Sequence, residues 1–318
     1  MASYEPHMST SADSNIVPTI PYARNRFADP IRLAIPPPHL DFVSGEPVLG
    51  NLILQPVSSH DYGSSEYGNP DFLQYLRSSC SMRFGHKMLS WEYNMRRTAQ
   101  PILPYLILGP STAARDVDYI HNTGITMLIS VRSAVSARAS PKYLNASMFE
   151  SAAGLSTITL DLDSPYDLIT QLPKTIKAMN DHLENGCAKG PTGQFDSVRE
   201  KILVFCESGN ERSTALVAAY LMVLFGVDVV TAMQIIQSQR FCIAPEDGMK
   251  NMLTTFEDVL KAKRDVSMQK TQSLAANTNT GLKRNVDMMY DDDDEMEDGT
   301  DQSDVAGTRK EWAPFRSK

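Results

Sequence analysis

The chain has 318 residues, enough for one large or two small domains, and 42% hydrophobic with 21% charged content fits a globular core joined to polar length. The net charge of −8 is unevenly spread: ten acidic residues lie between Val286 and Asp304 with no basic residue among them, so the remainder carries +2. A near-neutral body gives no footing for nucleic acid and does not oppose a phosphorylated ligand, and no apolar run reaches the length of a membrane span.

The N-terminal residues lack the basic and apolar regions of a signal peptide. Four cysteines at positions 80, 187, 206 and 242 show neither zinc spacing nor a small disulfide framework. Reduced thiols, and hence the cytoplasm or nucleus, are expected, with no metal and no cofactor.

Three zones follow in chain order. Met1 to Ser90 is rich in Pro, Ser and Tyr and reads as a mostly disordered arm, although Asp71 to Arg77 has the spacing for two helical turns. Trp91 to Asp265 reads as one α/β domain. Ile102 to Leu108 is a predicted strand closed by Gly109-Pro110, and Thr112 to Asn122 a helix ended at Gly124. Ile125 to Val131 and Thr157 to Leu162 are predicted strands, and Leu168 to Glu184 is a helix with apolar residues at 172, 176, 179 and 183. Gly190 to Glu200 reads as a loop insertion before a strand at Ile202. Thr214 to Phe225 is apolar on every face and should be a buried central helix; helices over Val229 to Gln239 and Gly248 to Lys263 follow. Val266 to Lys318 is expected to be a disordered, acidic tail. The alternation predicts a mostly parallel sheet flanked by helices, with the ligand at the carboxyl ends of the strands.

The most informative stretch is Lys201 to Ser213, K-I-L-V-F-C-E-S-G-N-E-R-S. A buried strand leads into Cys206, a turn containing Gly209 follows, and Arg212-Ser213 opens the apolar helix. Backbone N–H groups, the helix dipole and a planar guanidinium make such a turn an oxyanion pocket. The same field lowers a thiol pKa and makes Cys206 a nucleophile.

C-x5-R-S after a buried strand resembles the protein tyrosine phosphatase superfamily, and the short loops resemble its dual-specificity branch. W-E-Y-N-M-R-R-T-A-Q-P-I-L-P-Y-L-I-L-G-P (Trp91 to Pro110) and R-F-C-I-A-P-E-D-G-M (Arg240 to Met249) are similar to the phospho-Ser/Thr/Tyr-interacting pseudophosphatases. The resemblance covers Trp91 to Lys263. It implies that Cys206 attacks phosphorus and carries a phosphocysteine, and that Ser213 helps the thiolate leave. The backbone of Glu207, Ser208, Gly209, Asn210, Glu211 and Arg212, with the Arg212 guanidinium, would hold the phosphate. The general acid would be Asp163 in D-L-D-S-P, with Asp161 and Asp167 as competitors whose other reading is turn and cap chemistry. Arg132 either flanks the pocket or lies on the surface.

Phe205 stands where active members of the superfamily usually carry a His that supports the loop, so a raised thiol pKa and a looser cradle are expected. Glu207 and Glu211 place two carboxylates in the loop, each opposing phosphate by about 1 kcal/mol if solvated. In the other direction, pseudophosphatases of this type lack the nucleophile, whereas this chain keeps Cys206. Three functions are open. The first is a weak or narrow-specificity phosphatase acting on phosphotyrosine, phosphoserine or phosphothreonine. The second is a non-catalytic adaptor holding a kinase, a phosphosubstrate or a ubiquitin-ligase component. The third, a phosphatase for a non-protein substrate such as a phosphoinositide, is opposed by the acidic loop. Cys242 reads as a buried structural thiol and Cys187 as a surface or loop residue.

Overall fold

Prolines, glycines and single acidic residues punctuate an otherwise strongly apolar run of elements, and these set where each begins and ends. The computed structural model of the chain describes residues 33–50, 52, 54, 65–80, 84–191 and 193–280. The disorder expected of 1–32 and of 281–318 lies outside the described residues.

A hairpin comes first, β1 (Leu40–Val43) with β2 (Glu46–Leu49), turning at Ser44-Gly45 where both residues have positive φ. Helix α1 (Pro70–Ser79) starts with proline at its first position, and the Asn69 side chain accepts from the Asp71 N–H at 3.1 Å. The single strand expected over Ile102 to Leu108 is instead two, β3 (Gln100–Leu103) and β4 (Leu106–Pro110), paired antiparallel. Pro104 has no N–H to give a ladder, and the chain reverses there with Tyr105. The helix expected over Thr112 to Asn122 is also divided, into α2 (Ser111–Arg115) and α3 (Val117–Thr123). Asp116 makes the break, because its carboxylate accepts from the Tyr119 N–H at 2.9 Å and caps a new helix. Gly124 ends α3 in the left-handed region at φ 73°, as its position predicted.

Next come β5 (Met127–Ser133), α4 (Ala134–Ala139), β6 (Ser156–Leu162) and α5 (Asp167–Asn185). The stretch expected to be a plain loop insertion contains β8 (Phe195–Val198), which pairs antiparallel with β7 (Cys187–Lys189). The sheet pairing closes with β9 (Ile202–Cys206), followed by α6 (Arg212–Phe225), α7 (Val229–Gln239) and α8 (Asp247–Thr280).

The main sheet has the order β3-β4-β9-β5-β6, parallel throughout except for the antiparallel edge strand β3. Alternation along the strands sends side chains to two cores. On β9, Ile202 and Val204 join the larger cluster with α5, α6, α7 and α8, while Leu203 and Phe205 join a smaller one with α2, α3 and the 146–152 segment. Helix α6 is the buried centre: every residue from Ser213 to Phe225 is buried. Among the described residues, no single helix is long and apolar enough to cross a membrane.

The boundary expected at Trp91 is not where packing starts. Phe72 and Leu76 of α1 are 0% exposed within the larger core, and Phe195 of β8 meets Phe72 edge-on with ring centres 5.0 Å apart. Asn180 of α5 donates to the Tyr67 carbonyl at 2.7 Å and accepts from the Tyr220 hydroxyl at 2.9 Å, both within the core. The described part of the expected arm is therefore integral to the domain. Helix α8 likewise runs past Asp265. The described residues as far as Ser273 form one compact unit, and residues 274–280, described as helix, belong to a second.

Candidate active site

Parallel pairing fixes the place of the thiol. Pro110 of β4 is in register with Cys206 at the end of β9, so the turn leaving β9 emerges beside the turn from β4 into α2. Gly209 sits at φ 72°, and a β-carbon there would lie 2.3 Å from the Gly109 carbonyl carbon. The loop thus requires glycine for both its conformation and its closeness to β4.

Four successive loop carbonyls are tied to the scaffold. Glu207 O accepts from the Ser111 N–H at 3.3 Å, Ser208 O and Gly209 O accept from Arg240 at 3.0 and 3.1 Å, and Asn210 O accepts from the Ala244 N–H at 2.9 Å. With its carbonyls held outward, the loop turns N–H groups inward, the geometry of an anion-binding nest. They close on Cys206: its Sγ accepts from the Gly209 N–H at 3.2 Å and from the Ser213 hydroxyl at 3.1 Å. Burial pushes the thiol pKa up, but hydrogen bonds from the Ser213 side chain and from the N–H groups of Ser213, Glu211 and Gly209 outweigh it, and the net shift is downward. The upward shift expected from Phe205 is thereby corrected.

Phe205 itself is buried in the smaller core against Phe149, ring centres 5.5 Å apart. The support that a polar neighbour of Cys206 was expected to give comes from Arg240. This arginine is 0% exposed and has acceptors on every nitrogen: the Arg96, Thr98, Ser208 and Gly209 carbonyls, the Gln100 side chain and Asn210 Oδ1. Asn210, whose backbone was expected to hold phosphate, turns its side chain to Arg240 and to the Cys242 thiol, which donates to Oδ1 at 3.3 Å. Cys242 is thus half-buried against the loop, with its pKa raised by burial and pulled back by Arg240. Cys187, expected at the surface or in a loop, is buried at the start of β7.

Both loop carboxylates have polar neighbours. Glu207 is exposed near the Tyr143 phenol, whose pKa is pushed up by burial and then by Glu207, while Arg115 and Arg212 oppose it. Glu211 is half-buried, with Arg212 and Glu246 close enough to act on its charge. Its pKa is pushed up by burial, pulled down by Arg212 and pushed up again by Glu246. Arg212 opens α6 beside these groups, and Ser208 is exposed at the loop tip.

The acidic residues at the end of β6 and in the loop after it have other partners. Asp163 forms a surface ion pair with Arg138 of α4 at 2.7 Å, and that hydrogen bond holds its carboxyl below the usual range. Asp167 accepts from the Asp163 and Ser164 N–H groups, each at 2.8 Å. Asp161 receives both ends of the Arg132 fork at 2.5 and 3.2 Å. Arg132 does not lie on the surface: it is buried and donates to the Pro141 and Tyr143 carbonyls, fixing the turn that carries Tyr143. Arg240, Tyr143, Glu246 and Ser111 are the residues of the site that sequence reasoning missed. Only Arg240 and Glu246 stood in a stretch with any signal, R-F-C-I-A-P-E-D-G-M. Among the described residues, no group of His, Cys, Asp or Glu is arranged to hold a metal ion.

Fold and loop together define a class, a cysteine phosphate-loop domain carried on a mixed sheet with helices on both faces. The family description "Dual specificity phosphatase, catalytic domain" matches residues 106–259. Serine/threonine/tyrosine-interacting protein B of Xenopus laevis is 32% identical over 216 residues, which cover 65% of this chain and 86% of that protein. The Homo sapiens serine/threonine/tyrosine-interacting protein is 30% identical over 205 residues, 61% of this chain and 82% of that one. A crystal structure of the human tyrosine phosphatase-like serine/threonine/tyrosine-interacting protein aligns at 29% identity and a TM-score of 0.42, covering 51% of this chain and 97% of that one. The chain belongs to the dual-specificity phosphatase family, among the serine/threonine/tyrosine-interacting proteins.

Proposed function

We propose that this chain is a cysteine-dependent phosphoprotein phosphatase of narrow specificity, working through a phosphocysteine on Cys206 in the cytoplasm or nucleus. One observation carries the reading: a thiol with its pKa held down by the Ser213 hydroxyl and three loop N–H groups. A binding module has no chemical need for an activated thiolate. Attack by Cys206 on phosphorus would be followed by hydrolysis of the S–P bond, with the same donors receiving the returning thiolate. Loop N–H groups and the Arg212 guanidinium would hold the equatorial oxygens. Phosphorylated proteins, kinases among them, are the proposed ligands, a class consistent with the near-neutral body and with the relatives' names.

A second reading, an adaptor for a phosphoprotein or a ubiquitin-ligase component without turnover, is favoured by Asp163, which is ion-paired at the surface where a proton donor was expected. Rapid-quench measurement with an aryl phosphate separates the two. The phosphatase gives a burst of phenol and an acid-trapped phosphocysteine, both absent in Cys206→Ser. Phosphopeptide binding that survives Cys206→Ser, with no trapped intermediate in the unmodified chain, establishes the adaptor instead.

A further inference from the structure

Several arginines surround the phosphate loop, and most are matched within the fold. Arg132 is held by Asp161, Arg138 by Asp163, and Arg240 by acceptors on every nitrogen. Arg115, the last residue of α2, is exposed, and among the described residues no carboxylate pairs with it. Its position is nonetheless fixed, by two routes that both begin next to Cys206. Along the first, Phe205 packs on Phe149 with ring centres 5.5 Å apart, and the Arg115 guanidinium lies over Phe149, 4.9 Å from its ring centre. Along the second, the Ser111 N–H donates to the Glu207 carbonyl at 3.3 Å, and Ser111 Oγ lies 3.4 Å from that carbonyl and 3.5 Å from Arg115 Nη1. The charge therefore stands within two hydrogen-bond lengths of the residue that follows the nucleophile. Arg115 and Arg212 also act together on the Tyr143 phenol, so both guanidiniums look toward one half-buried side chain.

We propose that Arg115 is a specificity-determining residue: its guanidinium holds a second anionic group of the ligand, the carboxylate or phosphate of a residue flanking the phosphorylated one. The assignment rests on the phosphoprotein reading above and narrows it to phosphopeptides with an anionic neighbour. A planar fork offers two parallel N–H groups to either anion, and stacking on Phe149 presets its plane. Arg212 is assigned to the phosphate in the loop, so a second anion finds its match in Arg115. An extended peptide advances about 3.3–3.6 Å per residue, so a residue beside the phosphorylated one lands at this distance scale from the loop. Glu207 is the opposing charge: it acts on the same phenol and repels an anion there, which keeps the preference moderate.

Phosphotyrosyl peptides that differ only in carrying Ala, Glu or phosphoserine on either side of the phosphotyrosine test the assignment. Hydrolysis is followed as kcat/KM with the full chain, and affinity as Kd with the full chain bearing Cys206→Ser. Glu and phosphoserine peptides are expected to be preferred to the Ala peptide about fivefold, and Arg115→Gln to remove that ratio in both readouts. Arg115→Lys keeps the charge without the fork and should leave a preference of only about twofold. A stronger preference for phosphoserine than for Glu identifies the second group as a phosphate, and the reverse order identifies it as a carboxylate. The assignment is overturned if the unmodified chain takes all the peptides alike, or if Arg115→Gln weakens all of them equally, as a purely structural arginine would. Neither binding nor hydrolysis of any peptide would instead overturn the phosphoprotein reading, so the two failures are distinct.

Discussion

Ser213 contributes to Cys206 twice, through a hydroxyl 3.1 Å from the sulfur and through its N–H. Burial alone would keep the thiol protonated; Ser213 is the leading cause that reverses this. Hydrogen bonds to a charged acceptor contribute about 1.5–3 kcal/mol, so Ser213→Ala should cut thiolate reactivity at neutral pH roughly tenfold. The sign is fixed by linkage. A lowered folded-state pKa means that ionisation of Cys206 stabilises the fold above the unfolded cysteine value, and that this contribution is lost as pH falls through the folded value. Iodoacetamide alkylation followed across pH should show the Ser213→Ala midpoint at higher pH than that of the unmodified chain; an unmoved midpoint refutes the role. These groups were legible in the sequence because they lie within seven residues of each other on one strand–turn–helix. The closeness of Glu207 to Tyr143 and of Glu211 to Glu246 was not, because each joins residues distant in the chain and neither pairing follows a local period.

Between elements, one side chain holds the site together. Arg240 follows α7 and reaches the phosphate loop, the Arg96–Gln100 segment and Asn210 at once, across sequence separations of 30 to 144 residues. Nothing in a helix-ending arginine announces this; a cation at the end of a helix is ordinarily a surface group satisfying the dipole. Its burial makes the fork geometry indispensable. Lysine offers a compact ammonium and cannot meet acceptors on opposite sides of a planar group. Arg240→Lys would leave buried carbonyls unsatisfied at about 1–3 kcal/mol each, for a total loss of at least about 3 kcal/mol. Urea denaturation of Arg240→Lys should show that loss, with weaker inorganic phosphate binding even where the chain remains folded. A stability change under about 1 kcal/mol would mean that the loop holds its shape without Arg240.

For the molecule as a whole, the sheet and its central helix were readable because their signal is composition: runs such as Met127–Val131 and Thr214–Phe225 are apolar enough to be buried on every side. Division of an element was harder to read, since one proline at Pro104 and one aspartate at Asp116 carry it. The domain edge was hardest. Polar and proline-rich surroundings hide α1, which buries Phe72, Leu73 and Leu76 in the core and ties Tyr75 to the Asp196 carbonyl. That tie is substantial. Phe72 meets Phe195 across the small β7–β8 sheet, and the Tyr67 carbonyl is claimed by Asn180, itself bonded to Tyr220 in the middle of α6. The helix that bears the phosphate loop at its N-terminus is therefore braced at its middle by a segment outside the span from Trp91 to Asp265. Leu76→Ala should cost about 2–5 kcal/mol, the range for a fully buried leucine, and a chain beginning at Trp91 should lose cooperative thermal unfolding. Calorimetry of the two variants decides between packing and mere adherence: an unchanged transition in Leu76→Ala would show that α1 rests on the domain without supporting it.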